Sequence, residues 1–223
     1  MFSTVLDILI QYHTGFLSGL AVTLQLCAII WSLGIILGSA LGFFGWQYPD
    51  SVGKVSRIIS FILAGIPILV FLFWLHYPVQ AIFEVVIDPF YTAAFTFTIV
   101  NIFGVADLVR FALEDFPQQY LFAARVCGLP HKKTIFKIQL PILFRQVLPG
   151  LLMLQVTMLH VTLFSSLISV EEIFRVAQRI NAQIYKPVEI YTALGIFFLM
   201  VCLPVNGVAV WIKNKYTRNL SDR

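Results

Sequence analysis

The chain has 223 residues, of which 59% are hydrophobic and 12% charged, and its mean hydropathy is +0.89. Soluble domains carry roughly 25% charged residues, so this composition excludes a water-soluble globular enzyme and indicates a chain embedded in a lipid bilayer. The formal net charge of +4 does not argue for a nucleic-acid partner, because in a membrane protein the placement of Lys and Arg says more than their sum.

A bilayer core about 30 Å thick takes about 20 mostly apolar residues per helical crossing. Five stretches lack Asp, Glu, Lys and Arg: Thr14 to Pro49, Ile58 to Phe83, Pro89 to Ala106, Gln146 to Val170 and Ile190 to Ile212. They predict an all-α integral membrane protein with five transmembrane helices, near 15–45, 56–78, 88–110, 146–168 and 189–212, forming a single domain over 1–223. None shows the alternation of an outer-membrane barrel strand. The opening MFSTVLDILIQYH lacks a basic n-region and a cleavage site, so the first helix is expected to be retained.

Gly15, Gly19, Gly34, Gly38, Gly42 and Gly45 are spaced to let a second helix approach the first closely. Pro67 and Pro204 are expected to kink or locally unwind their spans. Gln25, Asn101, Gln155, His160 and Asn206 are polar groups in apolar runs, which belong in the bundle interior, most simply as hydrogen bonds between helices. His160, with Thr157 and the following Ser165 and Ser166, is also the candidate lining of a solute pathway. Of the cysteines, Cys27 and Cys202 lie in apolar runs and Cys127 in a basic connection, so they read as packing residues rather than a disulfide framework. No metal-ligand spacing and no catalytic constellation is expected.

Twelve of the fifteen Lys and Arg residues fall on one side of these spans: Lys54 and Arg57, then six from Arg110 to Arg145, then Lys213, Lys215, Arg218 and Arg223. Only Arg175, Arg179 and Lys186 fall on the other. The positive-inside rule therefore predicts the N-terminus outside and the C-terminus in the cytoplasm, with a cytoplasmic connection over 111–145.

Within that connection, LFAARVCGLPHKKTIFKIQLP (121–141) sets Ala123 and Ala124 five and four residues before Gly128, then Leu129, and closes on Ile138, Leu140 and Pro141. Alanines offer little bulk to a docking surface. Glycine admits the positive φ with which helices commonly end, and Pro130 and Pro141 stop continuation or launch the next segment. This spacing resembles the E-A-A, three residues, G, nine residues, I-x-L-P loop of ABC importer membrane subunits, with Phe122 in the glutamate's place. An alternative reading is an amphipathic helix on the lipid surface, with Lys132, Lys133 and Lys137 near anionic headgroups. It leaves the glycine and proline spacing unexplained.

Three further segments resemble the polar amino acid permeases, the branch with the histidine, glutamine and arginine uptake systems. They are GFLSGLAVTLQL (15–26), matching at Gly19, Thr23, Leu24 and Leu26; AGIPILVFLFWLHYP (64–78), matching at Gly65, Pro67, Leu69, Val70, Leu72 and Phe73; and SSLISVEEI (165–173). Asp107 and Arg110 keep the acid and arginine of the segment before the loop, whereas Ala64, Phe164 and VTMLHVTLF (156–164) depart from the branch. The resemblance implies a type I ABC importer transmembrane domain in a bacterial inner membrane. Phe122, Ala123, Ala124, Gly128, Leu129 and Pro141 would couple it to an ABC ATPase dimer. A second membrane subunit, identical or paralogous, and an extracytoplasmic solute-binding protein would complete it. The chain has no G-x-x-x-x-G-K-[ST] phosphate loop, so ATP and Mg are expected on the partner and the chain itself is expected not to be an enzyme. Two rival readings stay open: a non-transporting regulatory subunit, for which the altered 156–164 segment argues, and an ATP-independent five-span transporter or channel.

Overall fold

The computed structural model describes residues 2–221, with side chains over 5–215, and every regular element among them is helical. A short α1 (Phe2–Gln11) leads into the long α2 (His13–Gln47). A π-turn over Pro49–Gly53 opens α3 (Lys54–Gly65), and α4 (Ile68–Trp74) continues through a second π-turn, Leu75–Val79, into α5 (Gln80–Ile82). Then come α6 (Pro89–Glu114), α7 (Gln118–Val126) and α8 (His131–Thr134). α9 (Leu140–Thr162) tightens into a 3₁₀ turn over Leu163–Ile168, followed by α10 (Ile173–Ile184) and α11 (Pro187–Ser221).

Four helical stretches among the described residues are long and apolar enough to cross a membrane: His13–Gln47, Pro89–Glu114, His131–Ile168 and Pro187–Lys215. A fifth candidate is the pair Pro49–Gly65 and Ile68–Ile82, which meet at 98°. The break has a local cause. Proline disfavours helical backbone in the residue before it, and Ile66 is extended at φ −102°, ψ 123°. Pro67 also lacks the N–H that would have continued the ladder. Pro204, by contrast, lies inside α11, which runs unbroken from Pro187 to Ser221.

The bundle is assembled on the glycine stripe of α2. A Cβ on Gly34 would stand 2.1 Å from Asn101 Nδ2, one on Gly38 2.6 Å from the Ile102 carbonyl, and one on Gly42 2.6 Å from the Ala106 carbonyl. The helix α6 therefore lies directly against α2, in the backbone-close packing that replaces the hydrophobic effect where lipid surrounds the protein. Around this pair, Leu26 and Ile30 of α2, Leu72 of α4, Phe97 of α6 and Met158 and Val161 of α9 form one core. A second core joins Ile8 of α1 to Ile173, Val176, Ala177 and Ile180 of α10 and to Ile190 and Leu194 of α11. Cys27 and Cys202 are free and buried, packing with Val156 and Leu159 where α2, α9 and α11 meet.

Candidate functional site

The 121–141 segment starts inside the nine-residue helix α7, whose end is fully specified. Leu129 N–H donates to the Ala124 carbonyl (3.0 Å) and Gly128 N–H to the Arg125 carbonyl (3.0 Å), with Gly128 at φ +66°. These are the paired bonds of a Schellman motif, which satisfy carbonyls that a helix end otherwise leaves without partners. The motif accounts for the spacing: Gly128 must be the left-handed residue, and Ala124 stands four residues before it, where the returning Leu129 amide lands. Ala124 is buried, whereas Ala123 is exposed, Phe122 is 62% exposed and Val126 88% exposed. The helix thus seats one face and presents another. Pro141 lies in the first turn of α9.

Behind α7 is a cleft of about 350 Å³ walled by Trp46, Leu113, Phe116, Leu121, Arg125 and Leu129, with His131, Thr134 and Gln139 on the returning chain. Short of α7, the end of α6 is tied to α3 by charge. Arg110, only 3% exposed in its side chain, donates from Nη2 to Asp107 Oδ1, and its Nε lies 4.0 Å from Glu114 Oε1. Glu114 also faces Arg57 of α3 at 3.8 Å, and Ser60 Oγ donates to Asp107 Oδ1 at 3.3 Å. α6 is thus charge-linked to α3 shortly before the turn at Phe116 and Pro117 that leads into α7.

The candidate pathway residues separate into two groups. Thr157 and His160 are exposed on one face of α9, and His160 Nε2 lies 3.2 Å from Cys202 Sγ of α11. Ser165 and Ser166 are buried instead, and their hydroxyls donate to the Thr162 (2.6 Å) and Leu163 (2.7 Å) carbonyls. The 3₁₀ turn, with about three residues per turn in place of 3.6, takes them off the His160 face. Of the other polar span residues, Asn101 and Gln155 bond each other, Asn206 is half-buried and Gln25 is exposed.

One arrangement was not foreseen from the sequence. α10 starts against α2, where Ile173 N–H donates to Thr23 Oγ1 at 3.2 Å. A Cβ on Gly19 would stand 2.9 Å from Ile173 Cα. The carboxylate of Glu172, fully buried, accepts from Phe174 N–H (2.9 Å) and Arg175 N–H (2.8 Å) and so caps α10. Burial pushes the Glu172 carboxyl up to about 7; the two backbone bonds pull it down, and the neighbouring Glu171 charge adds to the rise. Gly19 and Thr23 stood among the matching residues of the 15–26 segment, but the partner of Thr23 lies 150 residues away.

The described residues thus form a long-helix bundle with a glycine-packed core, one broken helix and a basic loop closed by a Schellman turn. The model for binding-protein-dependent transport system inner membrane components matches residues 32–218, and the chain belongs to that family. The octopine transport system permease protein OccM of Rhizobium radiobacter is 25% identical over 226 residues, covering 95% of this chain and 92% of the relative. The L-cystine permease protein TcyB of Bacillus subtilis is 27% identical, covering 90% and 86%. The glutamine permease protein GlnP of Escherichia coli is 27% identical, covering 79% of each chain. A crystal structure of an amino acid ABC transporter with histidines superimposes with a TM-score of 0.81 at 21% identity, over 93% of this chain and 96% of that one. An inward-facing structure of the MetNI methionine transporter gives 0.69 at 16% identity, over 88% and 94%. The chain is accordingly a permease subunit of a binding-protein-dependent ABC importer and a multi-pass protein of the bacterial inner membrane.

Proposed function

We propose that the chain imports a polar amino acid or a closely related small solute, and that α7 is the coupling helix through which a separate ATPase dimer drives it. Five spans would put the N-terminus outside and the C-terminus in the cytoplasm, the broken pair α3 and α4 with α5 counting as one. Phe122, Ala123, Ala124, Gly128 and Leu129 would form the docking element and Pro141 would launch the next span. ATP and Mg would be held by the partner, and this chain would contribute no ATPase chemistry. A second membrane subunit would complete the pathway, with His160 and Thr157 facing it and a solute-binding protein delivering substrate from outside.

The observation that supports this reading most is the Schellman end of α7, which holds a short helix rigidly with one face seated and the other free. A lever must be stiff. ATP can drive alternation only by binding one global state better than another, and a rigid helix carries that preference to α6 and, through Arg110 and Glu114, to α3. The test is uptake of labelled amino acids into proteoliposomes holding this chain with its ATPase and binding protein, with Gly128→Asp alongside. ATP-dependent uptake that the variant loses supports the reading; flux indifferent to ATP and to the variant overturns it.

A further inference from the structure

We infer that the ATPase surface receiving this chain is an apolar groove with an acidic rim. The inference rests on the coupling-helix reading above and adds the partner's chemistry. Phe122 and Val126 are one helical turn apart on the free face of α7, about 6 Å along its axis, and are 62% and 88% exposed. On a span, such exposure is met by lipid. On a helix that stands outside the spans it leaves apolar surface to water, and an apolar floor would cover it.

The charge around this ridge has one sign. From Phe116 to Arg145 the sequence holds Arg125, Lys132, Lys133, Lys137 and Arg145 and no Asp or Glu. Arg125, Lys132, Lys133 and Lys137 are all exposed. Of the two acids just before this stretch, Glu114 already faces Arg57 and Arg110, and Asp115 is exposed at the end of α6, so one carboxylate stands at the border of an otherwise basic segment. Carboxylates on the partner are the complement, and they would set both attraction and partner choice. A groove built to bind a carboxylate at the Phe122 position would instead bury an unpaired donor against the phenyl ring.

A lipid surface fits less well. Gln118 and Gln119 are exposed one turn before Phe122, so the apolar ridge is a single pair of residues rather than the long stripe of a surface helix. A short ridge flanked by amides and cations matches a groove.

The experiment uses the full chain in nanodiscs of phosphatidylcholine, with or without phosphatidylglycerol, and the purified ATPase subunit of its own system as probe. Phe122→Glu and the triple reversal Arg125→Glu, Lys132→Glu, Lys133→Glu are each expected to weaken binding about tenfold or more, as loss of a central anchor or of charge complementarity does. Phe122→Leu is expected to bind like the wild type. Wild-type affinity is expected to fall steeply with added salt. Phe122→Glu binding as tightly as wild type, together with salt-independent affinity, would overturn the groove chemistry and leave the docking reading standing. No wild-type binding at any salt would overturn the docking reading itself. If both variants bind the ATPase normally, while protection of 116–145 from hydrogen exchange requires phosphatidylglycerol and is lost in them, the segment is a lipid-facing surface and the inference fails.

Discussion

Asn101 of α6 and Gln155 of α9 bond each other in both directions, Nδ2 to Oε1 at 3.0 Å and Nε2 to Oδ1 at 3.2 Å, and Asn101 Nδ2 also reaches the Ile30 carbonyl of α2 at 2.9 Å. Two side chains thereby join three helices, in space that Gly34 leaves open. Asn101→Leu should destabilise the protein by about 2 kcal/mol, because it strands the Gln155 amide and crowds Gly34. Asn101→Ala with Gln155→Leu should recover part of that loss, since no amide is then left unpaired. Thermal unfolding in detergent of Asn101→Ala, Gln155→Leu and the pair together, run as a double-mutant cycle, gives the coupling, expected at about 1 kcal/mol.

Gly128 stands at φ +66° with nothing within 4 Å of the position its Cβ would take, so a substitution there acts through backbone conformation alone. Gly128→Ala should cost about 1 kcal/mol of α7 order, Gly128→Asn less, and Gly128→Val more. ATP-dependent uptake should follow the same order, while amounts of folded protein in the membrane stay close to wild type. Equal uptake in all three variants would show that α7 does not need its fixed end.

Glu172 makes stability depend on pH in an unusual direction. Its carboxyl is raised from 4.5 to about 7 by burial, so between those values the folded protein binds more protons than the unfolded one. The stability associated with it is fully present below about pH 4.5, is lost as pH rises through about 7, and is level above that; the loss is about 3 kcal/mol. Glu172→Gln stays neutral and keeps an acceptor for the α10 cap. Melting temperatures measured at pH 5 and pH 8 should differ less in the variant than in the wild type, with the variant gaining relative to wild type at pH 8.

Arg110→Met should lower stability by about 3 kcal/mol, because a buried guanidinium is lost and Asp107 keeps its charge beside an apolar chain. Arg110→Lys should recover part of that loss, since Nη2 is the nitrogen that donates, to Asp107, while Nε and Nη1 make no hydrogen bond, and an ammonium can replace one donor. Arg57→Ala should shift stability by less than about 1 kcal/mol, its pair with Glu114 being 48% and 42% exposed. Chemical denaturation of the three variants in one detergent ranks them.

Much of this architecture can be read along the chain because its causes are local. The absence of charge marks the long helices, Pro67 marks the broken one, and the distance from Ala124 to Gly128 encodes the Schellman turn. What escaped was set by geometry between segments. Ser165 and Ser166 follow His160 closely in sequence, but the tightened turn after Thr162 buries them away from its face, a separation that sequence distance does not show. Thr23 carries no mark of its partner at Ile173, and the 98° of the corner at Pro67 depends on what each half packs against, which one missing N–H does not specify. Of the polar span residues, Asn101 and Gln155 met the expectation of bonds between helices, while Gln25 faces outward.

The corner itself leaves backbone exposed. Neither Pro67 nor any side chain caps α4, so the first amides of α4, from Ile68 onward, lack helical partners, and of the last carbonyls of α3 Leu63 alone meets an amide, that of Ile66. Gly65 has open space where a side chain would be. Hydrocarbon cannot satisfy such groups. If α3 and α4 form one crossing, some polar medium must reach them partway through the bilayer, so the elbow marks a wet point in an otherwise dry wall.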